Sequence, residues 1–218
     1  MRANELLSRI DHTLLRPTST WDEVVKLCEE AVEYKTASVC VPPCYVARIH
    51  EAFPGLNICT VIGFPLGYST TAVKISEAVE AVENGANEID MVINLCEVKN
   101  KNFLYVAGEI SSIRKAVGKR VLKVIVETCF LSDEEKKALC RCVAEAGADF
   151  IKTSTGFGTD GAQIEDIRLF REHIGENVKI KASGGIKTRE DIENFVTAGS
   201  DRIGASSAVV VLTAQETR

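Results

Sequence analysis

The chain has 218 residues, 45% hydrophobic and 26% charged, a composition with enough apolar material for one sizeable core, so a single domain over residues 1–218 is expected. A formal net charge of −5 and the lack of a basic cluster argue against a surface made to neutralise nucleic-acid phosphates. Arg2, Glu5, Arg9 and Asp11 interrupt the N-terminal segment, which therefore lacks a secretion signal, and no later run is apolar for long enough to span a bilayer.

In chain order, a first strand is expected at SRIDHTL (8–14), followed by helical periodicity over WDEVVKLCEEAVEY (21–34). A second β-branched run, ASVCVP (37–42), leads to ICTVIGF (58–64) through a connection with room only for a short helix around RIHEAF (48–53). STTAVKISEAVEAVENG (69–85) has helical spacing, and EIDMVIN (88–94) and LKVIVE (122–127) read as strands. The rest alternates in the same way: helix DEEKKALCRCVAEAG (133–147), strand DFIKTS (149–154), helix AQIEDIRLFREHIG (162–175), strand VKIKAS (178–183), helix TREDIENFVTAG (188–199) and strand DRIGAS (201–206). Ser132 or Asp133 and Thr188 are N-cap residues by type, while Gly85, Gly147, Gly175 and Gly199 stand where helices should stop. Strands rich in Val and Ile suit a parallel sheet covered by helices. Eight such repeats predict closure into a single (β/α)8 (TIM) barrel rather than an open doubly wound sheet.

The eight cysteines (Cys28, Cys40, Cys44, Cys59, Cys96, Cys129, Cys140 and Cys142) are spread through apolar runs, which points to buried thiols in a reducing, cytoplasmic compartment. Cys140 and Cys142 face different sides of a helix and no His-rich segment completes a zinc arrangement, so no metal is expected. His12 reads as a hydrogen-bond partner at a strand end, and His50 and His173 as solvent-facing helical residues.

In such barrels the chemistry sits at the C-terminal ends of the strands. Lys152, Lys181 and Asp90 interrupt apolar strands there, and Asp11 lies on the first strand. Lys152 and Lys181 are 29 residues apart (181 − 152), about one βα unit, so their ammonium groups should enter one cavity from adjacent strands. Each disfavours the other's charge, which is one route to a neutral, nucleophilic amine. Asp90 can hold Lys181 and pass protons through a water, with Asp11 extending the relay. The same residues also allow a static ion-pair network without chemistry. Cys40 can contribute a small apolar wall to the cavity.

Two glycine-rich segments, SGGIK (183–187) after the seventh strand and GASS (204–207) after the eighth, occupy the positions where barrels cradle a phosphate. Gly184, Gly185 and Gly204 let backbone amides approach an anion, and Ser206 and Ser207 add hydroxyl donors. Gly184 and Gly185 also allow a plainer reading as turn residues.

With those residues in place, the chain resembles the deoxyribose-phosphate aldolase family nearly end to end: IDHTLLRP, SVCVPP, VIGFPLG, EIDMVINL, LKVIVET, DFIKTSTGF, IKASGGIKT and RIGASSA stand in family order. The resemblance implies reversible cleavage of 2-deoxy-D-ribose 5-phosphate to D-glyceraldehyde 3-phosphate and acetaldehyde, with no metal or organic cofactor, by an enzyme that forms dimers or tetramers. It implies Lys152 as the Schiff-base lysine, Asp90 with Lys181 and a water as the proton shuttle, Asp11 as a supporting member and Cys40 as an active-site lining residue. Thr155 and Gly156 fall in the substrate-binding motif. Phe157 stands where some relatives carry a phosphate-binding lysine, which leaves Lys187 as the expected phosphate cation. The chain ends in Ala-Gln-Glu-Thr-Arg, without the terminal tyrosine of some relatives, so tail-assisted proton transfer is not expected. Two other readings are a phosphosugar isomerase or synthase, which leaves the lysine pair unexplained, and a silent metabolite-binding barrel, in which that pair should be disrupted.

Overall fold

The structure is a computed structural model that describes residues 1–214. Its strands are β1 (Ile10–Thr13), β2 (Ser38–Val41), β3 (Ile58–Ile62), β4 (Glu88–Val92), β5 (Val121–Ile125), β6 (Phe150–Lys152), β7 (Lys179–Ser183) and β8 (Arg202–Ala205). The helices are α1 (Ala3–Leu7), α2 (Trp21–Tyr34), α3 (Val46–Ala52), α4 (Thr71–Glu83), α5 (Leu95–Lys99), α6 (Phe103–Val117), α7 (Asp133–Glu145), α8 (Ile164–His173), α9 (Arg189–Ala198) and α10 (Ala208–Thr213). All eight strands pair in parallel and in sequence order, and β8 returns to β1, closing a (β/α)8 barrel. No described helix is long and apolar enough to cross a membrane.

Capping chemistry fixes where several helices begin. Thr20, Ser132 and Thr188 each accept from the backbone N–H three residues on, and Glu23, Glu135 and Asp191 reach back to close the capping box. Loss of one such cap typically costs about 1 kcal/mol. Ser132, not Asp133, is the cap of α7. The short helix expected before β3 is α3, seven residues long.

Two helices, α5 and α6, fill the connection between β4 and β5, where the periodicity reading singles out none. Helix α6 does carry a buried stripe of Val106, Ile110, Ile113 and Val117. Gly108, Ser111 and Ser112 dilute its helical propensity, and Leu104 and Tyr105 lie exposed at its start, so the pattern is faint in the sequence.

The strands alternate in what they bury. Ile10, Val39, Ile58, Ile89, Met91, Leu122, Val124, Ile151, Ile180, Ala182 and Ile203 join the apolar layer shared with the helices. The intervening positions point into the barrel, as the period of two requires. There β2 and β3 contribute a small apolar cluster of Cys40, Cys59 and Val61, covered by Leu15 and Phe64. The other strands contribute charge.

Candidate active site

Three carboxylates and four cationic side chains meet inside the barrel: Asp11 (β1), Glu88 and Asp90 (β4), Lys123 (β5), Lys152 (β6), Lys181 (β7) and Arg202 (β8). The strand register brings them together, since Asp90 aligns with Lys123, Lys152 with Lys181, and Lys181 with Arg202. Asp90 is the hub. Its Oδ2 accepts from Lys152 Nζ at 2.7 Å and from Lys181 Nζ at 2.7 Å, and its Oδ1 accepts from Lys123 Nζ at 2.8 Å and Cys59 Sγ at 3.1 Å. Lys181 Nζ also lies 2.5 Å from Asp11 Oδ2, and Lys123 Nζ lies 2.6 Å from Glu88 Oε2. Arg202 pairs with Asp11 and Glu88 at the base of the cluster.

Burial alone would drive these groups toward neutrality, yet each partner set overcomes it. Burial raises the Asp90 carboxyl, but Lys123, Lys152 and Lys181 outweigh it and hold the group well below the usual carboxylate range. Burial likewise opposes ionisation of Asp11, and Lys123, Lys181 and Arg202 outweigh it to hold the group down. Burial opposes the charge on Lys181, but Asp11 and Asp90 prevail and push its pKa above the ordinary lysine value, so it stays cationic. Lys123 follows the same balance. The lysine pair therefore does not meet by bare repulsion: one carboxylate oxygen stands between the two ammonium groups.

Above this cluster opens a cavity of about 440 Å³ lined by residues that follow β1, β6, β7 and β8. Thr155, Gly156, Gly184, Gly185, Lys187, Gly204, Ser206 and Ser207 all line it, which brings every expected phosphate-side residue to one place. Among the described residues, the N–H groups of Gly156, Gly184, Gly185, Ile186, Ser206 and Ser207 have no acceptor within the protein. Gly184 and Gly185 have φ of 83° and 76°, left-handed conformations that favour glycine. A Cβ at Gly204 would lie 3.1 Å from Lys181 Cε, so this glycine also makes room for the lysine beneath.

Of the seven charged residues in the barrel cluster, only Lys152 lines this cavity; Asp90, Lys181 and Asp11 lie fully buried below it. Cys40 does not line the cavity either. It sits in the interior with its sulfur, that of Cys59 and a carboxylate oxygen of Asp90 within 4.8 Å of one another, its thiol held below the ordinary value chiefly by the Cys59 hydrogen bond. This triad and the set Asp11, Cys59 and Glu88 have metal-like spacing. Lys123 Nζ, however, lies 3.1 Å from Cys59 Sγ and ion-pairs with all three carboxylates, so an ammonium already serves these donors.

Lys187 is exposed on the cavity rim, as is Arg16, which the sequence reading does not single out; the Arg16 guanidinium pairs with Glu23 at 2.7 Å. Phe157 packs edge-on against Phe64, with ring centroids 5.4 Å apart. His12 Nε2 lies 2.7 Å from Glu30 Oε2, a structural contact in which the carboxylate accepts, and His50 and His173 are exposed. Of the C-terminal Ala-Gln-Glu-Thr-Arg segment, residues 215–218 lie outside the described residues.

A profile of the DeoC/LacD family aldolases matches residues 6–213. The chain belongs to that family. It is 57% identical over 219 aligned residues to a deoxyribose-phosphate aldolase of Clostridium botulinum strain Alaska E43, covering 100% of this chain and 99% of the relative. It is 53% identical to a deoxyribose-phosphate aldolase of Clostridioides difficile strain 630, covering 97% of each. The solved tetrameric deoxyribose phosphate aldolase of Aeropyrum pernix superposes with a TM-score of 0.92 at 36% identity, over 99% of this chain and 92% of the other.

Proposed function

We propose that the protein reversibly cleaves 2-deoxy-D-ribose 5-phosphate to D-glyceraldehyde 3-phosphate and acetaldehyde through a Schiff base on Lys152. One observation carries the assignment: among the seven charged residues of the barrel cluster, Lys152 alone reaches the cavity that the unpartnered amides surround. It also has the least carboxylate contact of the three barrel lysines, sharing a single Asp90 oxygen, whereas Lys181 and Lys123 each meet at least two carboxylates. Three carboxylates balance three cations, so proton release from Lys152 leaves the cluster neutral rather than creating charge.

In this reading the Lys152 amine adds to C1 of the open-chain sugar, and loss of water gives an iminium. The C2–C3 bond then breaks, its electron pair moves toward the iminium nitrogen, and the C3 hydroxyl proton leaves through a water held by Asp90. Asp90 later returns a proton to C2 of the resulting enamine, and hydrolysis releases acetaldehyde and the free amine. Lys181 keeps a fixed positive charge on the far side of Asp90, and Asp11 holds Lys181 in place. The six amides, Ser206 and Ser207 receive the phosphate, and Lys187 supplies full charge at the position-specific level that Phe157 does not. No organic cofactor or metal enters this scheme.

Borohydride reduction in the presence of substrate, followed by peptide mass spectrometry, tests the assignment. A stable adduct on Lys152 is expected; substrate turnover without a trappable adduct overturns it.

The protein is further assigned as a homo-oligomer, a dimer or tetramer, by analogy with the Aeropyrum pernix enzyme, and as cytoplasmic, consistent with eight cysteines that are all free.

A further inference from the structure

A buried carboxylate that the scheme above does not use lies beside the cavity. Glu127 follows β5, is 2% exposed, and has backbone angles of φ 57° and ψ 68°. Left-handed conformations are costly for a residue with a Cβ and persist where the surroundings enforce them. Here they do so: Val126 N–H donates to Lys152 O at 3.0 Å and Thr128 N–H donates to Thr153 O at 3.0 Å, so the turn is clamped to the end of β6 on both sides of Glu127.

The turn delivers the side chain under the segment that follows Lys152. Glu127 Oε1 accepts from Thr155 N–H at 3.0 Å, and Oε2 accepts from the Thr155 hydroxyl in a short bond. The hydroxyl oxygen in turn accepts from Phe157 N–H at 3.0 Å. Gly158 packs directly on the carboxyl, since a Cβ there would lie 3.2 Å from Glu127 Cδ. Thr155 and Phe157 are thereby both tied down, and Gly156 between them keeps a φ of 85° and an N–H with no protein acceptor, all three lining the cavity. Among the described residues no cation stands within 4 Å of the carboxylate, so an ion pair does not account for it. Burial pushes its pKa above the ordinary glutamate value, an expense that the Thr155 bonds and the more distant Lys152 charge only partly offset.

We propose that Glu127 is a positioning residue for the phosphate end of the substrate: by holding Thr155 it sets the 155–157 turn so that the Gly156 amide completes the anion cradle. The proposal rests on the aldolase reading. It predicts a defect that depends on the phosphate and spares the chemistry at Lys152.

The test compares 2-deoxyribose 5-phosphate with 2-deoxyribose in the full-length enzyme carrying Glu127→Gln or Glu127→Asp. Gln keeps the shape but turns an amide donor toward the Thr155 groups, and Asp keeps the charge but is one methylene too short to hold them both. Expected is a rise in KM for the phosphorylated sugar of about tenfold, equivalent to about 1.4 kcal/mol, with kcat within about twofold and kcat/KM for 2-deoxyribose unchanged. An equal loss on both sugars, or no loss on either, overturns the proposal, as does failure of both Glu127→Gln and Glu127→Asp to fold. Borohydride trapping on wild-type Lys152 is run alongside: its failure discredits the aldolase reading itself, whereas a normal adduct with unchanged sugar discrimination discredits only the role of Glu127.

Discussion

Inside the barrel, four cations and three carboxylates from six strands pair with one another beneath the cavity floor that Lys152 reaches, whereas at the cavity rim six of the described backbone amides stand without partners and the full charges of Arg16 and Lys187 are solvated. The interior depends on side-chain identity, because removing one buried ion strands its partner in low dielectric. The rim depends on backbone conformation, so most of its side chains can change at modest cost while its glycines cannot. Substitutions should therefore produce large, chemistry-level losses below and small, affinity-level losses above.

The sharpest break is Lys152→Met, which should reduce cleavage by about four to six orders of magnitude, the scale seen when a covalent nucleophile is removed; single-turnover assays check this. Asp90→Asn should follow, with kcat lower by about 10²–10⁴-fold and substrate still bound, measured by kcat against ligand dissociation. Lys123→Met probes the interior without touching the cavity: loss of the cation that pairs with Asp11, Glu88 and Asp90 should cost about 3–5 kcal/mol of stability by denaturant titration. At the rim, Lys187→Ala should raise KM for the phosphorylated substrate by only about tenfold.

Acid provides the gentlest probe of the same contrast. Asp11 and Asp90 are held below their ordinary pKa, so their contribution is fully present above the unfolded value of about 3.9 and is lost as pH falls toward their depressed folded values. Lys123 and Lys181 are raised, so theirs is present below about 10.4 and is lost as pH rises through the elevated folded values. Melting temperature should hold between those limits and drop below pH about 4, and Asp11→Asn should flatten that drop while lowering the plateau.

The eight strands and the main helices are legible because their periodicity and caps agree. Asp90, Lys152, Lys181 and Asp11 are legible because charge inside an apolar run has few bland explanations. Glu88 and Arg202 escape notice because each opens its strand, where charge ordinarily means solvent, and counting back by two from Asp90 identifies Glu88; Lys123 stands at the centre of β5, as Asp90 does in β4, so the signal that finds Asp90 applies to it as well. Lys74 misleads in the same way: it occupies a helix and looks solvent-facing, yet it is fully buried, donating to Val92 O at 2.8 Å and Glu109 Oε2 at 2.9 Å. Glu127 is invisible for another reason, since its role depends on a left-handed turn that no residue type announces.

The free cysteines divide by location. Cys28, Cys40, Cys59, Cys140 and Cys142 are buried, while Cys44, Cys96 and Cys129, the three that solvent reaches, follow β2, β4 and β5 and so all lie at the end of the barrel where the cavity opens. An alkylating dye added to the native enzyme thus decorates one pole of the molecule without any engineering, placing reporters around the entrance and leaving the opposite pole unlabelled.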